Sequence, residues 1–294
     1  MLALALSILS NAAIYLLFKW FENNNTQIFH AIVVNYWVAF FIGIVMVPDL
    51  SIAWSGASLL PDWTVAALLL GVIFIYIFHL AARTALKSGV TVTTVASKMS
   101  LALAVLLFVI TDPNERISFI EGAAIVLALC GVVFTSSRGE KLNLSKSTLM
   151  GPIIILLGGT IIDFSIAHYA THPANENEMA LYSCLSFGVA GLIGLFLIFY
   201  RVMFLKIVPT RKDMTSGVIL GVVNYGSIYF LVKAYNSGMM DKSSMLPLNN
   251  LGVVMVSTLG AVGFFKERLS RPNIAGIVVS IIALVLLTWD HLMG

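Results

Sequence analysis

Ten stretches of about twenty residues run along this chain almost without charge, and each is long enough to cross the roughly 30 Å hydrocarbon core of a bilayer as a helix. They lie near residues 2 to 20, 28 to 47, 63 to 84, 89 to 110, 117 to 135, 150 to 170, 178 to 200, 215 to 236, 243 to 265 and 273 to 289. A transmembrane β-barrel would show segments of about 10 residues with alternating apolar and polar positions. The runs here are continuous and about twice that length, so helices are expected. Of the 294 residues, 59% are hydrophobic and 11% charged, whereas a soluble domain needs about 25% charged residues to cover itself. Little chain is left over for a soluble domain. The sequence therefore reads as an all-α membrane protein of ten transmembrane helices.

Breakers mark several joins: Pro48 and Pro61, Ser88-Gly89, Asp112-Pro113-Asn114 and Pro272. Met1 is followed directly by LALALSIL, with no basic n-region, so the first run is expected to stay as a helix rather than to serve as a signal peptide. Cys130 and Cys184 lie inside apolar runs and read as small hydrophobes. The net charge is only +3, spread over short loops. That pattern offers no footprint for nucleic acid and fits lipid headgroups instead.

The chain also repeats itself. ALKSG at 85 to 89 returns as AYNSG at 234 to 238, and ERIS at 115 to 118 returns as ERLS at 267 to 270. The second match continues without a gap through Ala123 with Ala275, Ile125 with Ile277 and Val133 with Val285. The expected organisation is a first five-helix repeat at 1 to 140, a basic linker at 141 to 147 and a second repeat at 148 to 294. Five is odd, so the second repeat must enter the membrane with the opposite orientation. Inverted repeats of this kind build secondary transporters, in which two related halves meet around a midplane site. Among the short loops, only Arg116, Lys233 and Lys242 fall on the N-terminal side, while Lys19, Arg83, Lys87, Arg138 and the other loop cations fall opposite. Basic loops face the cytoplasm. Both termini are thus expected outside it, in the inner or cytoplasmic membrane.

Ten spans in two five-helix halves, each with a Glu-Arg-Leu/Ile-Ser element before a small-residue-rich fifth helix, resemble the drug/metabolite transporter superfamily of the EamA type. The clearest stretch is PLNNLGVVMVSTLGAVGFFKERLSRPNIAGIVVSIIALVLL, residues 247 to 287. The resemblance implies a ten-helix inverted repeat around a central cavity lined mainly by the first, third, fourth, sixth, eighth and ninth helices. It also implies transport of a small molecule, mostly outward, and leaves the substrate open. Lys98 departs from that pattern: it is the counterpart of Pro247, where such proteins often carry an apolar residue or proline.

Two formally charged residues fall near the middle of a span, Lys98 and Asp163. Facing lipid, each would cost roughly 2.5 to 3.5 kcal/mol, so both should face protein or a wet cavity. They read either as a structural ion pair or as contacts for substrate or a coupling ion. Thr91, Thr94 and Lys98 share one helical face, with Ser97 and Ser100 beside it. Most of those threonine hydroxyls are expected to bond back to their own helix. In the ninth span, Pro247 removes a backbone donor, and Asn249 and Asn250 supply amides that can bind a ligand. Tyr225 with Asn224 in the eighth span, and Tyr76 with His79 in the third, complete the candidate set. Tyr76 and Tyr225 match under the repeat and are expected to wall a ligand from two sides. Tyr225, Tyr229 and Lys233 form one stripe that could line a cavity; the other reading, favoured for Lys233, makes Tyr229 and Lys233 interfacial anchors. His168 and His172, at a helix end, read as solvated groups. Gly217 and Gly221, and Gly188, Gly191 and Gly194, stand at the spacing that lets membrane helices approach closely.

No HExxH, GxSxG or Gly-rich phosphate loop occurs, so no enzyme chemistry and no cofactor or metal is expected. The expected function is secondary transport of a small polar or amphipathic metabolite, anionic, zwitterionic or amino-acid-like, by alternating access. Export is favoured over import. Lys98, Asn249, Asn250, Tyr76, Tyr225, Asn224 and Ser97 would bind substrate, while Asp163 and His79 would couple or gate through a proton or another ion. The partners are then the substrate and the bilayer, for a monomer or homodimer. The alternative is a membrane sensor or assembly partner that does not transport.

Overall fold

The computed structural model describes residues 2 to 47, 63 to 111, 118 to 137, 145 to 171, 176 to 235, 237 and 242 to 293. Among the described residues the regular structure is helical throughout: α1 (Leu2–Asn23), α2 (Ile28–Met46), α3 (Thr64–Ser88), α4 (Val90–Lys98), α5 (Ser100–Thr111), α6 (Phe119–Thr135), α7 (Lys146–Thr171), α8 (Glu176–Leu205), α9 (Arg211–Tyr235), α10 (Lys242–Phe265) and α11 (Arg271–Met293). With α4 and α5 counted as the one span Val90–Thr111, nine helices among the described residues are long and apolar enough to cross a membrane, and α6 is a shorter apolar helix. This is the architecture of a multi-pass membrane protein. Of the expected landmarks, Pro48, Pro61, residues 112 to 117, most of the linker, His172 and Gly238 lie outside the described residues. Lys146 and Ser147, expected in the linker, begin α7.

Two compact units divide the chain: Met1–Trp20 with Leu80–Phe164 and Gly226–Gly294, and Phe21–His79 with Ser165–Tyr225. Each draws helices from both sequence halves. Consequently α1, α3, α7 and α9 each contribute residues to both units.

The first unit centres on α6 lying along α11, with α10 packed on α11 and on α4. Small residues permit the approach. A Cβ on Gly276 would stand 2.5 Å from the backbone nitrogen of Thr135, and one on Gly252 would stand 2.5 Å from Ile8 of α1. The serines of the repeated motif start both helices. Ser118 accepts from the Glu121 amide at 3.0 Å and Glu121 accepts from the Ser118 amide at 2.9 Å, a reciprocal capping box on α6. At the head of α11, Asn273 plays the part of Glu121 and accepts from the Ser270 amide at 3.0 Å. Its amide nitrogen also donates to the carbonyls of Thr135 and Ser137, which ties the end of α6 to the start of α11. The final serines of the ERIS and ERLS elements, Ser118 and Ser270, thus each stand at a helix start.

The second unit is built on α2 against α8. Gly188, Gly191 and Gly194 meet Phe40, Trp37 and Val33 in turn, while Gly217 and Gly221 of α9 meet Val34 and Val38. The glycine stripes therefore do what their spacing led one to expect. Beside them Tyr36, fully enclosed among Phe74, Phe78 and Phe187, donates its hydroxyl to the Phe74 carbonyl at 2.8 Å, which a buried tyrosine requires.

Candidate functional site

In the first unit the fourth span does not run through. Met99 separates α4 from α5, and Lys98 is the last residue of α4. A helix end leaves carbonyls without intrahelical donors, and the flanking serines answer that need. Ser100 lies 2.5 Å from both the Ser97 carbonyl and a carboxylate oxygen of Asp163 on α7. The Thr160 hydroxyl is 3.3 Å from the Ser100 carbonyl. Gly159 lets α7 come this close: a Cβ there would sit 2.9 Å from Ser100. On the other side, the Tyr15 hydroxyl of α1 donates to Ser97 at 2.8 Å, and the Lys98 ammonium lies 5.9 Å from the Tyr15 ring centroid. Such placement gives a cation partial compensation from the ring quadrupole. Lys98 and Asp163, both half-buried, make no ion pair with each other among the described residues. The upstream hydroxyls behave as expected, Thr93 and Thr94 bonding back to the carbonyls of Gly89 and Val90.

Asn249 and Asn250 of α10 are 1% and 3% exposed. Ser7 of α1, itself fully buried, has its hydroxyl 3.0 Å from both Asn249 Oδ1 and the Ser227 carbonyl. Lys98, Ser97, Asp163, Asn249 and Asn250 therefore all belong to one unit, on helices α4, α7 and α10, with α10 packed on α4.

Four other candidates belong to the second unit. Asn224 is buried and donates to Asn35 Oδ1 at 3.1 Å. Tyr225 lies by Gly43, and the His79 ring packs edge-on against Phe29 at 5.2 Å. Tyr76 is 60% exposed. Back in the first unit, Tyr229 and Lys233 are exposed, with the ammonium 6.0 Å from the ring.

Two carboxylates near helix starts escaped the sequence reading. Asp213 of α9, 1% exposed, accepts at 2.8 Å from the amides of Thr210 and of Gln27. One carboxylate thereby caps both α9 and α2, whose own N-cap residue Gln27 offers no side-chain cap. His30 Nδ1 lies 3.4 Å from its other face. The Thr210-x-x-Asp213 spacing was a legible cap signal for α9, but nothing local pointed to α2. Glu267, from the ERLS element, accepts from the Val90 amide at 3.1 Å, and so caps α4. Its N-cap residue Gly89 has φ of 106°, a conformation open to glycine, and a Cβ there would collide with the Glu267 carboxylate. Burial raises the Glu267 carboxyl above its usual range, against the opposing pull of the Val90 and Thr91 hydrogen bonds and the Lys19 charge.

No family model matches the chain. An uncharacterized protein of Haemophilus influenzae is 26% identical over 286 residues, which are 96% of this chain and 95% of that protein. A protein of known crystal structure is 17% identical, with a TM-score of 0.61 over 100% of this chain and 98% of the other. The chain shares that protein's fold over its whole length.

Proposed function

We propose that the protein is a secondary transporter of the drug/metabolite type. In this reading it moves a small anionic or zwitterionic metabolite outward across the cytoplasmic membrane by alternating access between inverted repeats, with both termini on the non-cytoplasmic side. The observation that carries the proposal is Lys98: a lysine at a helix interruption in the middle of an apolar span, lying over Tyr15 and making no ion pair with Asp163. A cation kept at that depth is costly to insert and is retained for a task. Interrupted helices at mid-depth form the ligand sites of secondary transporters. A carboxylate or phosphate of the substrate would complete the ammonium's coordination, Ser97 and the amides of Asn249 and Asn250 would add hydrogen bonds, and Asp163 would balance the site's charge.

The test is thermal stabilisation of the purified protein across amino acids, other carboxylates, sugars and organic cations, followed by counterflow of the best binder in proteoliposomes. Saturable stabilisation by carboxylates, lost in a Lys98→Met variant that still inserts and melts cooperatively, is the expected result. Full counterflow by Lys98→Met would remove Lys98 from the site. An absence of both stabilisation and counterflow would favour a sensor or assembly role.

A further inference from the structure

A cavity of about 350 Å³ lies beside the start of α4, lined by Ser88, Gly89, Thr91 and Val92, by Ser136 and Ser137 at the end of α6, and by Glu267 to Ser270 with Asn273. Glu267 is the one carboxylate in that lining. It is half-buried and holds the Val90 amide at 3.1 Å. Gly89 is what admits it, because any side chain there would strike the carboxylate. Among the described residues the charged groups beside it are basic, and Lys87, in the last turn of α3, adjoins Ser88 of the lining. Lys19 of α1 acts on it electrostatically, Arg268 lines the same cavity, and Lys266 and Arg271 are exposed neighbours. Thr91 and Val92 of α4 and Ser136 and Ser137 at the end of α6, which line the cavity, carry no charge.

The helix so held is short. α4 is 9 residues long and ends at Lys98, so the contact at its first turn and the charge at its last residue sit on one rigid rod about 13 Å long. We propose that Glu267 is a proton-binding site whose ionised form latches α4 in place, so that uptake of a proton from the cavity frees the half-helix that ends in Lys98. A proton added to the carboxylate leaves a neutral carboxyl, which accepts from the Val90 amide roughly half as strongly and no longer complements the positive end of the helix. Released from α4, the carboxyl stays beside the cavity but loses the Val90 and Thr91 hydrogen bonds that pull it down, so it holds a proton more tightly than in the latched state and acid favours release. The link to substrate rests on the reading of Lys98 above; the latch itself does not.

The experiment therefore needs no substrate. Amide hydrogen exchange of a peptide spanning residues 90 to 98 is measured on the whole protein in nanodiscs over a pH series, corrected for intrinsic rates, with α2 of the other unit as internal control. Wild-type protection of 90 to 98 is expected to fall by about tenfold or more on acidification, the scale of a lost charge-assisted hydrogen bond, while α2 stays unchanged. Glu267→Gln should show the low protection at every pH. Should that variant fail to fold, Glu267→Asp, which keeps a titrating group, is expected to retain the loss in acid. Protection in Glu267→Gln equal to that of the wild type at neutral pH, or an acid-induced loss shared by α2, overturns the latch. Substrate stabilisation and counterflow are scored separately, so a failed latch and a failed transport reading give different results.

Discussion

Ser100 donates its hydroxyl to the Asp163 carboxylate at 2.5 Å, tying the start of α5 to the middle of α7 across 63 residues of sequence. The half-buried acid is thereby given a neutral donor rather than the lysine two residues away from Ser100. Ser100→Ala should destabilise the protein by about 1 to 3 kcal/mol, the cost of stranding an enclosed charged acceptor. Asp163→Asn keeps an acceptor oxygen without the charge. In that background the loss from Ser100→Ala should shrink, which a double-mutant cycle on denaturation midpoints in detergent will measure. Equal losses in the two backgrounds would mean that the contact contributes nothing.

Tyr15 acts in two ways that mutation can separate. Tyr15→Phe removes the 2.8 Å bond to Ser97 and keeps the ring near Lys98. It should cost about 1 kcal/mol of stability and leave ligand stabilisation intact. Tyr15→Leu also removes the ring and should weaken anion binding by repositioning the ammonium. Indistinguishable binding by the two variants would remove the ring from the site.

Asp213 satisfies the first turns of two helices and one face of His30. Each lost cap costs about 1 kcal/mol, so Asp213→Ala should cost about 2 to 4 kcal/mol. Amide exchange near residues 28 to 31 and 211 to 214 should rise together. A rise confined to α9 would show that Asp213 does not hold α2.

Glycines should divide sharply. A Cβ at Gly221 would stand 2.6 Å from Val38, whereas one at Gly263 meets nothing within 4 Å. Gly221→Leu should abolish or severely reduce the folded yield, because two backbones must move apart. Gly263→Ala should be neutral or stabilising by up to about 1 kcal/mol. Expression and melting of the two variants side by side decide the point.

Glu267 also sets a stability dependence on pH. Its folded carboxyl lies above the usual value of 4.5, so between the two the native state binds more protons than the unfolded chain, and stability falls as pH rises through that window. Glu267→Gln removes this slope. The melting temperature of the variant minus that of the wild type should therefore become more positive as pH rises through the window. A flat difference would show that the folded group titrates like the unfolded one.

The helices were legible because their apolar runs are as long as a bilayer is thick, and the glycine stripes because spacing alone fixes which face they occupy. Ser118 and Ser270 were visible as a repeat, though only the structure explains them as helix starts. The interruption at Met99 left no trace: no glycine or proline marks it, and Ser97 and Ser100 looked like any hydroxyls on a helix. Partners distant in sequence were equally hidden. Ser7 and Asn249 are 242 residues apart, and Glu267 reads as one more loop acid until Gly89 is placed beside it. Lys98 and Asp163 could be singled out by their cost in an apolar span, but that cost names no partner.

The packing of α6 along α11 bears on how the protein is made. Residues 119 to 135 leave the ribosome well before residues 271 to 293 exist, so α6 must wait in the bilayer with the small-residue face around Gly131 uncovered until the final helix arrives. Asn273, which binds the carbonyls at the end of α6, arrives with it. Assembly of the first unit is therefore a post-insertion event, and nascent chains stopped short of residue 271 should be open to misassembly and to membrane quality control.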